Sequence, residues 1–295
     1  MIVVKLMGGL GNQMFQYAMA RALSLRANTE LKLDLSWFES EIDGETNRPY
    51  ELSNFFVTKS IATSIELKQL KGYDNRFVRR LRPIVSRLMP MSWQTHIQEK
   101  YFHFDPAILS IKKNAYLSGY WQSEQYFFDF MNAIRNDFIF KQSLSGENKR
   151  IAEEILAYNS VSLHIRRGDY VNKIQNINMF ESCSFDYYYK GLTEISARQS
   201  DLRIYVFSDD IEWAKDNLNM TYPTLFIDHN QGKDAFEDMR LMSLCKYNII
   251  ANSSFSWWGA WLNQYPEKIV IAPKRWFSQA SYDTSDLLPE GWIRL

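Results

Sequence analysis

Four short stretches of the chain hold residues whose types and spacing could do chemistry. His164-Ile165-Arg166-Arg167-Gly168-Asp169 sets two adjacent arginines at the end of an apolar run. Guanidinium groups are costly there unless they meet anions, and arginine suits bidentate phosphate recognition. One of the two could instead be held in an internal pair by an acid such as Asp169. His164 could be a satisfied core histidine or a ligand contact. Ser208-Asp209-Asp210 offers carboxylates that could accept from a guanine edge or a ribose, or could cap the helix that follows. Asn252-Ser253-Ser254 runs into Phe255-Ser256-Trp257-Trp258-Gly259-Ala260-Trp261. Small hydroxyl residues ahead of a helix present donors to a phosphate. The tryptophans could stack on sugars, but helical spacing favours burying Trp257 and Trp261 together. Gly8-Gly9-Leu10-Gly11-Asn12-Gln13 allows a sharp turn before a helix whose free N–H groups can meet an anion, or simply a tight turn. It departs from the dinucleotide pattern G-x-G-x-x-G, because Met14 stands at the third glycine, although Asp34 lies where a ribose-binding acid would sit. The chain contains no Asp-x-Asp, so no metal ion is expected; arginines and a helix N-terminus would neutralise a diphosphate instead.

The elements that must position these residues alternate. Residues 2–7 are β-branched and apolar, the glycine loop follows, helical spacing runs to about Arg26, and residues 30–35 read as a second strand. That order predicts an α/β fold with parallel strands and right-handed crossovers. Residues 116–120 read as a strand and 126–138 as a helix. The second half predicts strands at 161–165, 203–207, 225–227, 247–251 and 269–272, with helices at 148–158, 185–199, 211–218, 233–245 and 255–262. The polar stretches fall at the C-terminal ends of these strands, where open α/β sheets bind ligands. A loop-like stretch at 141–147 divides the chain into domains 1–145 and 146–295. Residues 42–120 are less regular. Within them, 76–89 mixes arginines with apolar residues, fitting a solvated helix pair broken at Pro83 or a basic patch that rests on anionic lipid.

Lys+Arg and Asp+Glu are 34 each, so there is no basic excess for nucleic acid. The two cysteines, Cys183 and Cys245, show neither a disulfide framework nor zinc spacing. Cys245 sits in an apolar run and reads as a buried hydrophobe. No apolar stretch reaches the roughly 18–20 residues needed to span a bilayer, and the N-terminus lacks signal-peptide character. The expected location is the cytoplasm, with peripheral contact at the inner face of the plasma membrane.

In order along the chain, Gly8 to Ala18, His164 to Tyr170, Phe207 to Asp210 and Asn252 to Trp258 resemble the signatures of α-1,2-fucosyltransferases, glycosyltransferase family 11. The second of these resembles the H-x-R-R-x-D motif shared with α-1,6- and protein O-fucosyltransferases. The resemblance implies a GT-B-like fold: two Rossmann-type domains with the active site in the cleft between them, acceptor-side first and GDP-fucose-binding second. It implies inverting, metal-independent transfer of L-fucose from GDP-β-L-fucose to O2 of a terminal galactose, with no cofactor. The acceptor would be a galactose-terminated oligosaccharide or lipid-linked glycan, as in bacterial O-antigen synthesis. Arg166 would bind the β-phosphate, His164 and Asp210 the guanine or ribose, and Ser253 and Ser254 the phosphates. Arg167, Asp209 and Asn252 join the donor site, and Asn12 would approach from the other domain. Asp169 and Glu124 are the candidates for a general base. Three rivals remain: a transferase for another GDP-sugar, a carbohydrate-binding protein suggested by 15% aromatic residues, and an NAD-dependent oxidoreductase. The last leaves the double arginine without a purpose.

Overall fold

Alternation along a strand decides which face each side chain enters, and β6 (Leu202–Ser208) illustrates how the second half of the chain is built. Ile204 and Val206 face one way, into a core with Val161, Leu163 and Ile165 of β5 (Asn159–Ile165) and Leu192 and Ile195 of α5 (Phe185–Ser196). Tyr205 and Phe207 face the other, against Ile151 and Ile155 of α4 (Gly146–Ala157) and Leu241 and Met242 of α7 (Phe236–Leu244). A strand apolar on both faces must be covered on both, and helices provide that cover.

The computed structural model describes residues 1–39, 48–71, 94–112, 114–167, 182–278 and 282–295. The chain forms two compact units, Met1–Lys141 with Asp283–Leu287, and Gln142–Tyr282 with Leu288–Leu295.

In the first unit β1 (Ile2–Lys5) pairs in parallel with β2 (Leu31–Asp34) and with β4 (Ala115–Ser118), and β3 (His96–Gln98) pairs with β4, giving the order β2-β1-β4-β3. The helix α1 (Leu10–Arg26) connects β1 to β2 and is buried around most of its circumference, glutamines included. A short helix, α2 (Ser64–Lys71), lies over β4. The expected helix at 126–138 is instead two 3₁₀ turns, Glu124–Tyr126 and Phe128–Phe130, followed by α3 (Met131–Asp137).

The six strands described in the second unit are all parallel, in the order β10-β9-β8-β5-β6-β7. Among the described residues the other α-helices and strands of this unit are α6 (Ile211–Asn217), β7 (Thr224–Ile227), β8 (Tyr247–Ile249), α8 (Ser254–Leu262), β9 (Ile269–Ala272) and β10 (Ile293–Arg294). The chain steps outward from β5 through β6 to β7, returns to place β8 on the other side of β5, and steps outward again. That is the doubly wound Rossmann order. Trp257, Trp258 and Trp261 are buried in α8, so the core reading of the tryptophans holds. Cys245 is buried as expected. Gly259 lets α8 approach α7: a methyl there would lie 2.9 Å from Met242 Cβ. Among the described residues no helix is long and apolar enough to cross a membrane. The basic stretch at 76–89 lies outside the described residues.

Candidate active site

The strand order fixes where each unit can receive a ligand. In a doubly wound sheet two neighbouring strands send their connections to opposite sides, leaving a crevice beyond their C-terminal ends. In the second unit that pair is β5 and β8. Arg166 and Arg167 follow β5 directly, Asn252, Ser253 and Ser254 follow β8, and Asp209 and Asp210 follow β6 next door.

The two arginines are held differently. Arg166 Nη1 lies 3.1 Å from Asp209 Oδ2, with both side chains about one-fifth exposed. Arg167 donates its backbone N–H to Asp209 Oδ1 at 2.8 Å, and its Nε lies 3.3 Å from Asp210 Oδ2. Its guanidinium carbon sits 4.0 Å over the ring of Trp213 on α6, a cation–π stack. Trp213 in turn lies flat on Phe185, with ring centroids 5.2 Å apart. The Nε edge and one face of Arg167 are therefore fixed, while no described residue accepts from its two terminal nitrogens. A half-buried guanidinium oriented by its own neighbours, with outer donors that no described residue engages, is suited to receiving an anion.

His164 is buried on β5, and its Nδ1 has no hydrogen-bond partner among the described residues. Burial holds the imidazole pKa well below the usual histidine range; the Arg166 charge adds to this and Asp209 opposes it. His164 is thus neutral at physiological pH. Its ring centroid lies 6.0 Å from that of Phe255, in the first turn of α8. Ser253 caps that helix by accepting from Phe255 N at 3.3 Å. Asn252 is buried and donates Nδ2 to the Trp276 carbonyl at 3.0 Å, holding the loop after β8. The second unit thus gathers His164, Arg166, Arg167, Asp209, Asp210, Asn252, Ser253 and Ser254 around one sheet edge. Asp169 lies outside the described residues.

In the first unit β1 and β4 are the two central, adjacent strands. The glycine loop follows β1, and Gly8 adopts φ +75°, a conformation that favours glycine. Two buried glutamines of α1 clamp it. Gln13 Nε2 donates to the Gly8 and Pro49 carbonyls, both at 2.9 Å, while its Oε1 accepts from Glu51 N at 3.0 Å. Gln16 pairs with both polar groups of the Met7 backbone. Asn12, half-buried in the first turn, accepts from Gln122 Nε2 at 2.8 Å. Glu124, the other candidate base, lies on the 3₁₀ turn after β4 and acts electrostatically on Arg135.

The loop after β4 is strained. Trp121 has φ +57°, a region that costs a bulky residue about 1–3 kcal/mol. Glu99, following β3, pins it by accepting from Tyr120 N at 2.6 Å and Trp121 N at 2.8 Å. Burial pushes the Glu99 carboxyl up to about 7, against the pull of those two bonds.

Sequence reading did not single out Gln13, Gln16, Glu99, Gln122 or Trp213. For the helix glutamines a signal was present: amides at i and i+3 within an otherwise apolar helical run. Asp238 at the start of α7 was also missed. Burial pushes its carboxyl up to about 7, and Asn230 Nδ2 donates to it at 2.8 Å.

The sequence model of the family described as Glycosyl transferase family 11 matches residues 86–295. The chain is 35% identical over 300 residues to an alpha-1,2-colitosyltransferase of Escherichia coli, covering 100% of this chain and 98% of that protein. It is also 35% identical to the O-antigen biosynthesis glycosyltransferase WbnK of Escherichia coli, covering 98% and 99%. Among solved structures, the fucosyltransferase NodZ from Bradyrhizobium superposes with a TM-score of 0.51 at 12% identity, covering 88% of this chain and 91% of that one. At that identity the likeness concerns fold, and it agrees with the GT-B-like pair of parallel α/β units.

Proposed function

The chain belongs to glycosyl transferase family 11, and on that premise we propose that it moves L-fucose from GDP-β-L-fucose to O2 of a terminal galactose, with inversion, during assembly of an O-antigen type glycan. The observation that carries this reading is the arginine pair at the sheet reversal, with Arg167 fixed by Asp210 and Trp213 and its outer donors unengaged by any described residue.

The chemistry asks for such groups. As C1–O1 of the donor cleaves, positive charge grows on the sugar ring and negative charge on the β-phosphate of departing GDP. The acceptor O2 forms the new bond to C1 from the opposite face and gives up its proton. Guanidinium groups at the β-phosphate bind the transition state more tightly than the ground state, because the charge they meet is larger there. Arg166 takes this role, with Arg167 beside it. Ser253, Ser254 and the N-terminus of α8 add hydrogen-bond donors to the diphosphate. His164, being neutral, offers one donor and one acceptor to the nucleoside, and Asp209 and Asp210 both orient the arginines and face the nucleoside. Asn12 contributes a carboxamide to the sugar being transferred. Asp169 and Glu124 stand as the candidate bases. Positive charge on the diphosphate comes from side chains in this reading, without a metal ion.

A second donor is favoured by the 35% identity to a colitosyltransferase along the whole chain. Colitose is fucose without its 3-hydroxyl. A site that hydrogen-bonds the 3-hydroxyl would reject GDP-colitose by about 10⁴–10⁵, whereas one that only accommodates it would discriminate weakly.

The test is GDP release on mixing purified protein, a GDP-sugar and a galactose-terminated disaccharide in EDTA. Release with GDP-fucose that depends on acceptor and yields an α-1,2-fucosylated product supports the proposal. Faster release with GDP-colitose moves the donor assignment and keeps the rest. Absence of GDP binding would sink the site assignment itself.

A further inference from the structure

Arg167 meets a carboxylate at one edge of its guanidinium and a ring on one face, and the two contacts constrain different motions. Its Nε lies 3.3 Å from Asp210 Oδ2, with the side chains 30% and 38% exposed. A pair that long and that open to water is weak, and it does not hold a flexible side chain by itself. It sets rotation within the guanidinium plane. The plane itself is set by Trp213, whose ring centroid lies 4.0 Å from the guanidinium carbon.

Trp213 is backed in turn. It lies on Phe185 with ring centroids 5.2 Å apart and planes 9° from parallel. Phe185 opens α5, directly after the Ser184 cap that accepts from Tyr187 N at 3.3 Å. Two tyrosines of the same turn bolt it to the sheet: Tyr188 donates its hydroxyl to the His164 carbonyl at 3.0 Å, and Tyr187 donates to the Ile250 carbonyl at 2.7 Å. His164 stands on β5, just ahead of the arginines. The ring and the guanidinium are thus referred to the same strand end, one through the stack and the other through the backbone. Arg203 shows what a stacked arginine looks like when its charge is used internally. Its guanidinium carbon lies 3.8 Å from the ring centroid of Tyr158, and its Nη1 is taken by Glu154 Oε1 at 2.6 Å. In Arg167 the carboxylate takes Nε instead, and no described residue accepts from the terminal nitrogens.

We propose that Trp213 is a positioning residue for donor binding: backed by Phe185, it fixes the plane of the Arg167 guanidinium, so that the terminal nitrogens meet the diphosphate without reorganising. The inference rests on the reading of the second unit as the site of a nucleoside diphosphate. An arginine side chain gives up rotamer freedom when it grips a phosphate, and one already oriented gives up less. A cation–π contact at a half-exposed site biases that orientation by about three- to tenfold.

The experiment measures binding of GDP by titration calorimetry and of guanosine by competition. Trp213→Leu and Trp213→Met keep apolar bulk and remove the ring face, and either serves if the other fails to fold. The GDP dissociation constant should rise about three- to tenfold, while that of guanosine, which carries no diphosphate, stays within about twofold. Trp213→Phe keeps a face and should recover most of the loss. In an Arg167→Ala background the same substitutions should change GDP binding by less than about twofold, because Trp213 acts through Arg167. A residue that only packs the core would loosen the site in general: guanosine would weaken as much as GDP, and the loss would be the same with or without Arg167. Either of those results overturns the proposal, as does unchanged GDP affinity without the ring. Wild-type protein that binds no GDP overturns the reading of the site instead. The Arg167 Nε–H signal in ¹⁵N-arginine-labelled protein, assigned by its loss in Arg167→Ala and displaced by the Trp213 ring current, then still decides whether the ring holds the guanidinium. A signal unmoved in Trp213→Leu or Trp213→Met shows that it does not.

Discussion

Replacing Arg166 by alanine separates a transition-state role from a structural one. The Arg166–Asp209 contact is 3.1 Å, and the two side chains are 19% and 24% exposed. That lies between an exposed pair, worth about 0–1 kcal/mol, and a buried one, whose breaking costs about 3–5 kcal/mol. Asp209 also keeps its bond from Arg167 N at 2.8 Å, so its charge is not stranded. The expected loss of stability is therefore about 1–2 kcal/mol, or a fall in Tm of about 2–8 °C for domains of this size. The expected loss of rate is far larger. A donor aimed at developing negative charge is worth about 10²–10³ in kcat. Arg166→Lys retains charge but not the planar fork, so it should fall between wild type and alanine. The assay is steady-state GDP release at a temperature well below the variant's melting transition, with circular dichroism as the check on folding. Turnover within tenfold of wild type in Arg166→Ala would refute the assignment of Arg166 to the leaving group. A melting transition lost altogether would show that the arginine supports the fold instead.

Three further outcomes follow from the same geometry. The native Glu99 carboxyl titrates near 7, above the ordinary value of 4.5, so the folded state holds the proton more tightly and stability falls as pH rises between those values. Asp238 adds a slope of the same sign up to about 7; urea melts of Glu99→Gln and Asp238→Asn should each flatten the curve, and an unaltered slope in both would contradict the burial argument. Trp258 is fully buried in α8, so Trp258→Ala should cost about 3–5 kcal/mol in a urea melt while leaving GDP binding at low temperature intact. If, as proposed, arginines and the start of α8 supply the positive potential, transfer should continue at its full rate in EDTA; activity restored only by added Mn²⁺ or Mg²⁺ would require a different account of the leaving group.

The second unit was the more legible half because its code is local. Strand, polar terminus and helix recur there, and each polar terminus is visible as a break in an apolar run: Arg166-Arg167, Ser208-Asp209-Asp210, Asn252-Ser253-Ser254. What pattern cannot supply is strand order, and order is what sets β5 beside β8, so that the loops carrying the arginines and the hydroxyls follow adjacent strands. The short strands β3 and β10, three and two residues long, carried too few residues for a period to register. The polar contacts of the first unit were hidden for a different reason. Glu99, Trp121 and Gln122 act through backbone N–H groups, a positive φ and one amide pair, none of which has a signature in residue spacing. Gln13 and Gln16 look like ordinary helix residues until their partners, the carbonyls and amides of the glycine loop, are known. The two halves therefore differ in kind. Phosphate recognition needs charge, which is rare in an apolar strand end and stands out. Neutral amide contacts such as that of Gln122 Nε2 with Asn12 Oδ1 carry no such mark, and they become visible when the fold brings residues 12 and 122 together.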